Sequence, residues 1–305
     1  LSTAKKIKLI HFLFLNIEIL MKNLVLTLVL TLVALANINA QTPYGNSVTP
    51  RRGTGKNTAD LTAIVEKFKK DLGGQNNGTD ASGTLTTGRR EINWDGAPDK
   101  VSDPQDFPVD FFNVNSKRGA VFSTPEGDDL KGFRMSADSE NPTNTPVRFG
   151  SLNPSYAKEF TTFSAERLFS YLDHNNFVIE FFISGTETPA VVSGFGAVLC
   201  DVDLAKKSTI EYFDIDGNSL GKFDYLTLDK GLSFVGVSFG KPIVHKAIVT
   251  TGNTPLEDDG SSPNDGGSID VVAVDDLIYG EPQLPAPPTP THDRTKGAPK
   301  AKGYR

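Results

Sequence analysis

The chain has 305 residues, with 37 acidic against 31 basic side chains and a net charge of −6. That balance speaks against nucleic acid as the partner. The single cysteine, Cys200, excludes a disulfide framework within one chain and lies in an apolar run where a buried thiol is expected.

Residues 1–20 precede Met21, which itself begins a complete signal peptide, so they are read as an over-extended gene start. Residues 21–40 form that signal peptide. Lys22 supplies the positive end and Leu24 to Leu35 the apolar run, which falls short of the roughly 20 residues of a spanning helix. Ala34-Leu35-Ala36 and Ile38-Asn39-Ala40 both fit the small-residue cleavage rule, and the second leaves Gln41 as a polar start. The expected product is secreted or periplasmic, without a membrane span. Without residues 1–40 it carries 27 basic and 36 acidic side chains, net −9.

Residues 41–88 read as a flexible leader containing one amphipathic helix, 58–72. Asn57 is its N-cap, Leu61, Ile64, Val65, Phe68 and Leu72 share one face, and Gly73-Gly74 ends it. From 89 to 283 short β-branched and aromatic runs alternate with turn residues. Strands are expected at 118–123, 131–136, 146–150, 177–184, 190–202, 208–214, 220–227, 231–239, 243–250 and 269–279. The fold class is therefore all-β, a jelly-roll-like antiparallel β-sandwich with one short N-terminal helix. Residues 284–305 are rich in proline and basic side chains and read as a disordered tail.

Three phrases, Gly88-Arg89-Arg90-Glu91-Ile92-Asn93-Trp94-Asp95-Gly96, Ser193 to Asp203, and Val274 to Pro282, resemble in order a family of uncharacterised exported bacterial proteins. The closing Asp275-Asp276 strand is also similar to the jelly rolls of galactose-binding-like and carbohydrate-binding modules. That second likeness implies a structural calcium near the closing strand.

Chemistry-bearing residues are sparse. Beyond residue 40 the histidines are His174, His245 and His292, and no nucleophile-base, zinc or phosphate-loop spacing exists, so the sequence leans away from an enzyme. Asp201 and Asp203 share one side of a strand end. Strand alternation turns one of Asp275 and Asp276 inward, where hydrogen bonds, an arginine such as Arg89 or Arg90, or calcium would offset the charge. These four aspartates are the candidate metal ligands. Asp214 to Asn218 looks like half a calcium loop but reads better as a hairpin turn. The candidate ligand-binding residues are Trp94 and Asp95, with the indole either at a rim or plugging the core, and Asp258, Asp259 and Asp265 of a long acidic loop. Tyr156, Tyr171, Tyr212 and Tyr225 are further stacking candidates.

The expected function is a secreted, non-catalytic module binding carbohydrate or another cell-surface ligand, stabilised by calcium. A polysaccharide hydrolase or lyase using carboxylates, and a structural matrix protein, are the alternatives. Mass spectrometry of the exported protein should find its first residue at or near Gln41. An intact Met21 terminus would contradict the cleavage assignment.

Overall fold

The computed structural model describes residues 47–125 and 131–287. The segments read as gene-start extension and signal peptide lie outside these residues, as does most of the tail. In chain order the elements are β1 (Thr49–Gly55), α1 (Thr58–Asp71), β2 (Arg89–Ile92), α2 (Phe111–Val114), β3 (Ala120–Ser123), β4 (Phe133–Met135), α3 (Tyr156–Glu159) and β5 (Phe169–Tyr171). They continue with β6 (Asn176–Phe181), β7 (Gly194–Val202), β8 (Thr209–Phe213), β9 (Ser219–Asp224), β10 (Leu228–Ser238), β11 (Lys246–Thr250) and β12 (Ala273–Gly280).

The strands form two antiparallel sheets. One runs β1-β10-β7-β12-β5-β4, with β2 also paired to β12; the other runs β3-β6-β11-β8-β9. Within them, β2-β12-β7-β10 and β6-β11-β8-β9 make the eight-strand jelly roll, because the chain changes sheet after β6, β7, β9, β10 and β11 and stays only for the β8–β9 hairpin. Side chains from the two sheets meet between them: Phe181 contacts Phe195 and Tyr279, and the Tyr212 hydroxyl donates to the Phe195 carbonyl at 3.0 Å.

Strand β7 is buried along its whole length, which explains its apolar run on both faces. One face turns to the second sheet. The other is covered by α1, whose Leu61, Val65, Phe68 and Leu72 join Val198, Cys200, Phe234 and Ile278 in one core cluster. Asn57 caps the helix by accepting from Ala59 and Asp60. Gly196 and Gly236, paired across β7 and β10, make room for Phe68; a Cβ added at Gly236 would lie 2.9 Å from its ring. Missing side chains here allow a helix to approach a sheet.

Residues 49–55, read from sequence as leader, instead form edge strand β1 on β10. Pro50 lacks a donor, and an edge strand is where a sheet tolerates that. Residues 146–150, read as a strand, are a turn with Arg148 and Phe149 at positive φ. Their apolar signal reflects the burial of Phe149 in the core, not strand pairing. The short strands β2 and β5 were not anticipated.

Gly236→Ala should destabilise the protein by about 1–3 kcal/mol through overpacking against Phe68 and Phe234. In a Phe68→Leu background the same change should cost less, as measured by urea unfolding midpoints. Equal penalties in both backgrounds would show that helix approach is not what the glycine serves.

Candidate metal centre

The end of β7 carries the unusual chemistry. Val202 pairs with Leu228 and Cys200 with Leu232, so Asp229, Lys230 and Gly231 of β10 bulge opposite Asp201 alone. Both Asp201 (φ 66°) and Lys230 (φ 51°) adopt the left-handed conformation, which costs a non-glycine residue free energy. The bulge brings the Lys230 amide to Asp201 Oδ1 at 2.7 Å. Asp201 is fully buried, and its Oδ2 has no hydrogen-bond partner. Asp203 Oδ1 is likewise buried and unpartnered.

Ligand oxygens of Asp201, Asp203 and Asp229 all lie within 4.8 Å of one another. Among the described residues this is the group of carboxylates close enough to share an ion. Asp265 adds a fourth acid: it hydrogen-bonds Asp203 and accepts from the Val271 amide at 2.8 Å. Asp270 accepts from the amides of Asp203 and Leu204, each at 3.1 Å, and so fixes the chain that presents Asp203.

So many acids with so few donors raise one another's proton affinity. Burial, opposed by the Lys230 amide and reinforced by Asp265 and Asp203, pushes Asp201 up to about 8. Burial and the charges of Asp265 and Asp229 push Asp203 up to about 6. A cation between the carboxylates would replace these protons. An all-oxygen donor set matches a hard cation such as calcium, with ligands at about 2.3–2.6 Å. Direct proton transfer to a substrate fits less well, because Asp201 has no exposed surface from which to reach one.

The other candidate residues lie elsewhere. A bulge in β12 sets Asp275 and Asp276 together opposite Val198, since Val274 pairs with Leu199 and Leu277 with Ala197. Strict alternation, with one aspartate inward and one outward, therefore does not hold. Both are buried, and both accept from Ser164 Oγ, at 3.1 and 2.7 Å. Asp275 also accepts from the amides of Phe163 (2.6 Å) and Ser164 (3.4 Å). Burial and the neighbouring Asp276 push Asp275 well up; burial, opposed by Ser164, pushes Asp276 up to about 6. The pair is satisfied by protein donors and does not converge with Asp201 and Asp203.

Trp94 plugs the core rather than standing at a rim. It stacks on Phe169 with centroids 4.3 Å apart and donates through Nε1 to the Asp275 carbonyl at 2.6 Å. Asp95 accepts from the amides of Glu166 and Arg167, each at 3.1 Å. Asp258 pairs with Arg134 at 3.1 Å, Asp259 closes a local turn onto Ser261, and only Asp265 of the acidic loop reaches the metal-type cluster. Tyr156, Tyr171, Tyr212 and Tyr225 are all buried, leaving none of them free to stack a sugar. Asp214 accepts from Asp216 and Asn218 in the β8–β9 turn. Asp229 was not anticipated; its signal is the Asp229-Lys230-Gly231 run at the head of a strand pattern.

No protein-family model matches the chain, and no curated protein does. Among solved structures, a domain of tailspike protein 4 from bacteriophage CBA120, described as enzymatically active, aligns with 60% of this chain and 22% of its own at 13% identity and a TM-score of 0.26. A two-domain protein of unknown function from Bacteroides fragilis aligns with 52% and 47% at 16% identity and a TM-score of 0.21. Neither likeness is close enough to transfer a function.

The Asp275–Asp276 pair generates a pH prediction. Asp276 holds its proton more tightly folded than unfolded, so its stabilisation is complete below about pH 4 and is lost as pH rises through about 6. Asp275, Glu91 and Lys69 act on it, the first through the shared hydrogen bond. In EDTA the melting temperature should fall between about pH 4 and 6, with Asp201 and Asp203 also contributing, and Asp276→Asn should reduce the slope of that fall. An unchanged slope in the variant would place the titration elsewhere.

Proposed function

We propose that the chain is an exported β-sandwich interaction module whose β7–β10 end is locked by one structural calcium ion. Asp201, Asp203 and Asp229 would hold the ion, with Asp265 completing the oxygen set. The observation that carries this reading is the buried, unpartnered Oδ2 of Asp201, a residue that shares a 4.8 Å cluster with two further carboxylates. An unmatched buried carboxylate is costly, and a bound cation offsets that cost. The signal-peptide pattern supports an extracellular destination, where calcium is abundant. Among the described residues no helix is long and apolar enough to cross a membrane.

The outer ligand in this reading is a cell-surface or matrix glycan held by polar and charged contacts. Ring stacking has little support, since Trp94 and the candidate tyrosines are buried. A polysaccharide pull-down separates the readings. Retention supports the module, product release an enzyme, and neither outcome a purely structural protein.

Calcium should raise the melting temperature, because an ion that binds only the folded state stabilises it, by about 2.7 kcal/mol at a hundred times its dissociation constant. Asp201→Asn should abolish the response yet leave the metal-free protein about as stable, since asparagine keeps the acceptor for Lys230 and is neutral like the protonated aspartate. Calorimetry showing no calcium binding to EDTA-stripped protein, with an unchanged melting curve, would refute the metal assignment.

A further inference from the structure

A second site lies on residues that hold no proposed calcium ligand. A cavity of about 380 Å³ opens between the turn after β2, helix α2 and the segment that leads into β3. That volume falls at the small end of ligand pockets and suits a single ring. The buried rings of Trp94, Phe111 and Phe112 close its base. Its rim carries Lys117 and Arg118 and no acidic side chain.

The two cations stand side by side at a cavity rim in a chain with net charge −6. Several other buried arginines are ion-paired: Arg90 with Glu281, Arg134 with Asp103, and Arg167 with Asp138. Neither Lys117 nor Arg118 has an acidic partner among the described residues, and Arg118 Nε is buried without a hydrogen bond. Backbone bonds hold the segment regardless. The Arg118 amide donates to the Phe112 carbonyl at 2.8 Å, and its carbonyl accepts from the Tyr279 hydroxyl at 3.1 Å. The side chain is thus free for a ligand while its backbone is fixed, which lowers the entropy lost on binding.

The remaining lining decides the class of anion. Asn93 and Asn115 border the cavity with side-chain amides that have no partner among the described residues. These groups suit a ring bearing hydroxyls and leave an aromatic acid with little to bond. We infer that this cavity binds a carboxylated monosaccharide unit, a hexuronate. Arg118 and Lys117 take the carboxylate and the asparagines take hydroxyls, so the ring is held by polar and charged contacts. The inference deepens the glycan reading above and is independent of calcium.

Titration of the full chain with D-glucuronate by isothermal calorimetry, in EDTA and again in calcium, tests it. Saturable millimolar binding is expected in both buffers. D-glucose should bind at least tenfold more weakly, and Arg118→Gln, checked for an unchanged melting curve, should cost about tenfold, or 1.4 kcal/mol. Lys117→Gln, at an exposed side chain, gives a second variant should Arg118→Gln not fold. No glucuronate binding in either buffer overturns the inference, as does equal affinity for glucose or full affinity in folded variants. Failure of calcium binding alone would overturn only the calcium reading.

Discussion

One extra residue in the central strand organises much of this molecule. Strand β12 is flanked by β7 on one side and by β5 and β2, end to end, on the other. Its bulge at Asp275–Asp276 coincides with the gap between those two short strands, so two carboxylates open into a space without a neighbouring ladder. Buried polar groups left unmatched cost about 1–3 kcal/mol each. Here the loop before β5 fills the gap with the Phe163 and Ser164 amides and the Ser164 hydroxyl, while Trp94 binds the Asp275 carbonyl. Asp95, next to Trp94, holds the following amides of Glu166 and Arg167. Arg167 then reaches Ala97, Asp99 and Asp138. Three segments distant in sequence are ordered around one irregularity.

The two acidic clusters show how similar composition produces different chemistry. Around Asp275 and Asp276, amides and a hydroxyl point inward and the acids are matched by protein. Around Asp201, the Lys230 amide is a lone donor and the other near neighbours are further carboxylates. The first arrangement is complete as it stands. The second lacks positive charge, which is what the proposed calcium would supply.

The sandwich was legible because most strands carry their own apolar pattern and turn signals, as Phe177 to Phe181 and the Asp214–Asn218 turn illustrate. Strands β2 and β5 were not, since three or four residues are too short for a period and pair only through β12. β1 was hidden by its proline, glycine and arginine content, which an edge strand accepts. Asp201 and Asp203 could be singled out from their spacing on one strand end. Asp229 could not, because its approach depends on a bulge across two strands. Trp94 left two readings open, and the stacking of Phe169 and Phe122, far along the chain, decided between them.

The strand on which the main sheet depends is also the last one among the described residues. Until residues 273–280 arrive, β7 lacks its inner partner and β2 and β5 have nothing to pair with. The buried ion pair between Arg90 and Glu281 closes across 191 residues of sequence. Contacts of such separation make folding slow, because the entropy of closing the loop is lost before the contact rewards it. The main sheet is therefore complete only once this strand has been added.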